Sequence, residues 1–168
     1  MKNVIKILLL ALICMAITCD PIPKESENCH TAIKFSNNSE KDLRVRDIFL
    51  HYILFPDPLN IKGLSYTARN DIYVVKSGEQ DNRKATLGSG TTCIEDIFKR
   101  EGYTDTIFVY VFDAAVVENT PWEVVTRDYL VLKRYDLTLE NLQRLDWKIT
   151  YPPTEAMKNV KQYPPYGE

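Results

Sequence analysis

The run Thr106-Ile107-Phe108-Val109-Tyr110-Val111-Phe112 restricts the fold more than any other segment of the chain. Successive side chains of a strand point to opposite faces, and here almost every one is apolar. A strand over these residues needs an apolar layer on each side. Candidates for those layers are visible nearby. Thr31–Phe35 and Leu43–Arg46 alternate apolar with polar residues around the turn Ser36-Asn37-Asn38-Ser39. Asp71–Val75, Tyr129–Tyr135 and Trp147–Tyr151 read as further strands. The apolar stretch Ile48–Phe55 stops at Pro56-Asp57-Pro58, residues 57–70 read as a loop, and Ser77–Lys84 reads as a charged turn.

Three short helices fit between these strands. Cys93–Phe98 has helical spacing, with Thr91 or Thr92 as its cap. Thr120-Pro121-Trp122-Glu123 combines a capping-box pattern with a proline at the first helical position and predicts a helix through Arg127. Thr138 caps a third, with Leu139, Leu142 and Leu145 or Gln143 on one face. Helices this short cannot form a layer. The expected class is all-β to β-rich α+β, an antiparallel β-sandwich decorated with two or three short helices.

The first residues read as an address. Lys2 and Lys6 precede an unbroken apolar run, Ile7–Ile17, which is too short for the ~20 residues that span a bilayer. Ala16-Ile17-Thr18-Cys19 resembles the bacterial lipobox, in which the chain is cut before a cysteine whose thiol receives diacylglycerol. Residues 1–18 then form a lipoprotein signal peptide. Residues 19–28 form the lipidated Cys19 and a flexible tether, 29–153 the sandwich domain, and 154–168 a loosely ordered tail containing proline and tyrosine. Covalent lipid, not a helix, would hold the protein on its membrane. Asp20 resembles an inner-membrane retention signal. Lys24-Glu25-Ser26-Glu27 instead resembles the tags that send Bacteroidota lipoproteins to the cell surface. The expected location is the cell envelope, with the outer membrane favoured over the inner.

With Cys14 lost and Cys19 lipidated, Cys29 and Cys93 remain. In an exported chain they either pair or pack as two separate buried thiols. A bridge would contribute ~4 kcal/mol in the chain-entropy model. The chain has two histidines, His30 and His51, and no Cys-x-x-Cys spacing, so no metal and no other cofactor is expected.

Several segments resemble a family of small Bacteroidales lipoproteins with no assigned activity. They are Asn37-Asn38-Ser39-x-Lys41-Asp42-Leu43-x-Val45, Val111-Phe112-Asp113-Ala114, Thr120-Pro121-Trp122, and Val131-Leu132-Lys133-Arg134-Tyr135-Asp136-Leu137-Thr138, running on to Trp147 and Ile149-Thr150-Tyr151-Pro152-Pro153. The resemblance implies a lipoprotein and carries over no catalytic residue. Asp105-Thr106-Ile107 also resembles the Asp-Thr-aliphatic sequon for O-glycosylation in Bacteroidota, which makes Thr106 a candidate modification site.

Chemistry is sparsely written. Gly88-Ser89-Gly90 lacks the spacing of a nucleophile elbow, and the same loop lacks the Gly-Lys-[Ser/Thr] ending of a phosphate loop. A formal charge of -2, without a long basic run, argues against nucleic acid. The chain is expected to be a monomer and not an enzyme, binding an unknown protein or glycan partner. Tyr163-Pro164-Pro165-Tyr166 is the most exposed-looking aromatic segment. The open alternative is an envelope glycan hydrolase using a carboxylate pair, since the chain has 23 acidic residues.

Overall fold

A computed structural model describes residues 29–48 and 73–168, apart from 85, 88–89 and 103–104. The signal segment, Cys19, most of the Ile48–Phe55 stretch, His51 and Ser89 lie outside the described residues. Strand β7 (Ile107–Asp113) sits at the centre of a five-stranded antiparallel sheet. On one side it pairs with β2 (Leu43–Ile48), which pairs with β3 (Tyr73–Val75). On the other it pairs with β8 (Lys133–Leu137), which pairs with β10 (Lys161–Tyr163).

The period-two rule divides this sheet into two faces. Leu43, Val45, Val75, Ile107, Val109, Val111, Tyr135 and Leu137 belong to the main core. Opposite them stand Phe108, Tyr110 and Phe112, which pack with Trp122, Val125, Val117, Tyr129 and Val131 in a second cluster. The expectation for β7 therefore holds, and it is covered on both faces.

A second, three-stranded sheet adds side chains to the main core. β1 (Ala32–Asn37) runs antiparallel to β4 (Gln80–Lys84) and parallel to β9 (Lys148–Tyr151). Ile33, Phe35 and Ile149 point from it into the core. Tyr135 joins the two sheets, its hydroxyl donating to the Thr150 carbonyl at 2.8 Å. β5 (Thr86–Leu87) and β6 (Gly90–Thr91) form a small separate hairpin. The class is β-rich α+β. The β1–β9 pair is parallel, so the expectation of purely antiparallel sheets is corrected.

The short helices are α1 (Ile94–Phe98), α2 (Ala114–Asn119), α3 (Trp122–Arg127) and α4 (Leu139–Arg144). Thr138 caps α4 as expected, in a full capping box with Asn141. The other two caps differ. Cys93 and Pro121 occupy the N-cap positions of α1 and α3 without a side-chain bond. Helix α2 was not foreseen. Its signal was local, for Asp113 ends β7 and accepts from the Ala115 amide at 3.0 Å.

Three boundaries move. Residues 80–84 form a strand where a charged turn is expected, because the edge of β1 supplies partners for a polar segment. The strand expected at Tyr129–Tyr135 begins only at Lys133, after Tyr129 takes a left-handed φ of 51°. The tail 154–168, expected to be loose, is tied to the domain. Glu155–Met157 form a 3-10 turn, Met157 and Val160 are buried in the core, and Lys161–Tyr163 are β10. Two apolar residues spaced by a turn sufficed, where a count of apolar residues suggested too few.

Two substitutions test this packing. Phe35→Ala, at a fully buried site, is expected to lower unfolding stability by about 3–5 kcal/mol. Thr138→Ala is expected to cost about 1 kcal/mol through loss of the cap. Urea denaturation of the folded domain reads both.

Candidate functional site

A surface pocket of about 380 Å³ has room for a ligand and is lined by Leu132, Lys133, Tyr151, Pro152, Pro153, Tyr166, Gly167 and Glu168. Its size lies at the lower end of the range for small-molecule sites. Sequence order hides it completely. β8 supplies its floor, the end of β9 one wall, and the segment after β10 the other.

Lys133 is the unusual residue. It stands on the core face of the sheet, opposite Val111, and is 3% exposed. Its ammonium donates to the main-chain oxygens of Pro164 at 2.9 Å, Pro165 at 3.3 Å and Glu168 at 3.4 Å. Burial lowers its pKa from the ordinary lysine value, and the negative charge of Glu168 only partly opposes this. One side chain thus fixes the segment that forms a wall of the pocket. Tyr166 adds a second anchor, its hydroxyl donating to Glu155 at 3.2 Å. On the facing wall, burial raises the Tyr151 hydroxyl above the ordinary tyrosine range.

The opposite face of β8 carries a buried ion pair. Arg134 and Asp136, two apart in one strand, meet side by side at 2.6 and 3.2 Å. The guanidinium lies 4.4 Å from the Phe108 ring centroid and within 6 Å of those of Tyr110 and Tyr163. Tyr110 beside it is fully buried, and its hydroxyl is pushed up to about 12 by burial, so it is a neutral phenol at neutral pH.

A third cluster ties down the start of the domain. Cys29 and Cys93 form a disulfide, one of the two outcomes the sequence left open. The adjacent His30 stacks on Trp147 with ring centroids 4.0 Å apart. Its Nδ1 lies 2.5 Å from Glu95, and its main-chain N–H donates to the same carboxylate at 2.9 Å. Burial works to raise the Glu95 pKa, but the two bonds from His30 outweigh it and hold the carboxyl below its ordinary value. Trp147 itself takes a left-handed φ of 57° and is kept there by this packing.

The structure does not bring the candidate residues of the sequence into one place. Cys29 and Cys93 meet far along the chain from one another. Thr106 stands just before β7, half-buried, with its hydroxyl donating to Asp105 at 2.9 Å. Sequence reasoning missed Lys133 and Glu95. The only signal for Lys133 was its place in the alternation Leu132, Lys133, Arg134, Tyr135, which leaves one charge on each face of a central strand. Among the described residues no group of three or more His, Cys, Asp or Glu is placed to hold a metal ion. No helix of the described residues is long and apolar enough to cross a membrane. No protein-family model, curated protein or solved structure matches the chain.

The His30–Glu95 cluster sets two expectations. Replacing Cys29 and Cys93 by alanine together should lower stability by about 4 kcal/mol, read by urea denaturation. Glu95→Gln should destabilise the protein at neutral pH. The folded carboxyl ionises below the ordinary value of 4.5, so its contribution is complete above that pH and fades as pH falls through the lower folded value. Denaturation curves should therefore converge with those of the parent as the solution is acidified.

Proposed function

We propose that the chain is an exported, lipid-anchored cell-envelope protein whose domain, a β-sandwich in its general plan, binds a partner and performs no catalysis. The observation that carries the binding reading is the pocket over Lys133. Its walls are tyrosine and proline rings, which offer flat apolar surface, and its floor holds a cation already saturated by main-chain oxygens. Such a lining suits recognition better than bond breaking, for it contains no nucleophile paired with a base.

Export is supported by the Cys29–Cys93 disulfide, since such bonds persist in oxidising compartments. Lipid attachment at Cys19 and an outer-membrane location rest on the sequence motifs. The enclosed carboxylates speak for structure rather than hydrolysis. Glu95 is tied to His30, Asp113 to Lys41 and Asp136 to Arg134.

Growth of the native cells with an alkyne-bearing fatty acid tests the anchor. The protein should carry the label in the membrane fraction, and Cys19→Ser should remove both label and membrane retention. A label-free, fully secreted parent protein would overturn the lipoprotein reading. Incubating the purified domain with envelope glycans should leave their chain lengths unchanged, and shortening would establish the hydrolase alternative.

A further inference from the structure

We propose that the aromatic side of β8 encloses a binding site for one compact monovalent oxyanion, of the size of formate, nitrate or bicarbonate, held between the Arg134 guanidinium and the Tyr110 hydroxyl. The site lies on the opposite face of the strand from the pocket over Lys133 and is independent of that pocket.

The first observation is a pair of buried donors without acceptors. Arg134 is 2% exposed and Tyr110 is fully buried. Pairing with Asp136 uses Nε and Nη2 of the guanidinium. Its Nη1 and the Tyr110 Oη have no hydrogen-bond partner. A buried donor left in this state bears the desolvation penalty of its group with nothing to offset it. Both groups keep their protons at neutral pH, for a guanidinium does not titrate and the phenol is pushed up to about 12. Arg134 and Tyr110 stand directly opposite one another on β8 and β7, with the guanidinium carbon 5.6 Å from the Tyr110 ring centroid. Bonds to an anionic oxygen run about 2.7–2.9 Å from N–H and about 2.5–2.7 Å from O–H. One small anion with two oxygens therefore spans donors several ångströms apart.

The second observation is the kind of atom left over. A water molecule between these donors would accept from both and still have two hydrogens to place. The main-chain carbonyls of β7 and β8 already accept within the sheet. Among the described residues, the buried side-chain amide or carboxylate oxygen left without a donor is Gln162 Oε1. Gln162 pairs with Tyr135 and so belongs to the core face. An anion accepts and donates nothing, which matches two donors with no free acceptor beside them.

The third observation is charge. Asp136 is shared by two cations, Arg134 and Lys161, whose ammonium lies 3.5 Å from Asp136 Oδ2. Together the three groups carry one net positive charge, which one monovalent anion balances. Arg46, across from Tyr110 on β2, has a partner of its own and stays outside this count. The rings of Phe108 and Tyr163 flank the guanidinium, and Phe112 and Trp122 pack beside Tyr110, so the guest is limited to a few atoms. The approach is from the β10 side, where the Lys161 side chain is 67% exposed and Phe108 and Tyr163 are half-buried.

The test follows thermal unfolding of the purified full chain as formate, nitrate or chloride is added, with ionic strength held by a bulky sulfonate salt. The oxyanions should raise the unfolding midpoint along a saturating curve. Chloride, with a single accepting atom, should bind more weakly. In isotope-labelled protein the Arg134 side-chain Nε–H and the Tyr110 and Arg134 amides should shift over the same concentration range. A response that does not saturate, that chloride matches, or that leaves these signals unmoved overturns the proposal.

Tyr110→Phe keeps the ring and removes the hydroxyl. Without anion it should unfold no earlier than the parent, and it should bind formate at least about tenfold more weakly. Parent-like affinity in this variant overturns the proposal. Marked destabilisation without anion also overturns it, for the hydroxyl would then already have a partner inside the protein. Lys161→Gln, at the exposed rim, leaves the buried pair in place and should weaken formate binding about threefold. An unaltered affinity there counts against the proposal.

Discussion

Coverage of β7 on both faces is the constraint from which the rest of the architecture follows. A central strand of five has both edges taken by β2 and β8, so its backbone is satisfied within the sheet. Its side chains then demand two separate apolar layers. One includes residues of a second sheet built on β1, with Ile33, Phe35 and Ile149 in the same buried cluster as Val109 and Val111. The other is supplied by helices too short to stand alone, with Val117 of α2 and Trp122 and Val125 of α3 in one cluster with Tyr110 and Phe112.

β8 meets that architecture with three charged residues in five, and all are buried. The two faces solve the problem differently. On one, Arg134 finds a carboxylate two residues along its own strand and an aromatic surround, so its charge is neutralised locally. On the other, Lys133 draws the main chain of a distant segment over itself, through Pro164, Pro165 and Glu168. The first arrangement closes a surface and the second opens one, since the drawn-in segment becomes a pocket wall.

How much of this could be read in the sequence depends on how local the cause was. The strand at 107–113 and the Thr138 cap follow from side chains a few residues apart, and both were legible. The pairing of Cys29 with Cys93 was legible only as one of two outcomes, because chemistry permits a bridge but geometry decides it. Residues 80–84 were not legible as a strand. Their composition is that of a turn, and what makes them extended is the hydrogen-bonding edge of β1. The pocket was less legible still. Lys133, Tyr151 and Tyr166 are separated by intervals that no local pattern encodes, and the tail looked loose because its order comes from distant partners, the core around Met157 and Val160, the β8 edge and Lys133.

The disulfide has a mechanical meaning beyond the entropy it removes. β1 is the middle strand of its sheet, and the chain enters it three residues after Cys29. Tension on the segment preceding Cys29 would otherwise act directly on the first hydrogen bonds of β1 and open them one at a time. The covalent link to Cys93 diverts that load to the start of α1, whose Ile94 and Ile97 are embedded in the main core. A pull from the N-terminal side is therefore carried by the packed interior as a block, and β1 is spared from being peeled out of its sheet.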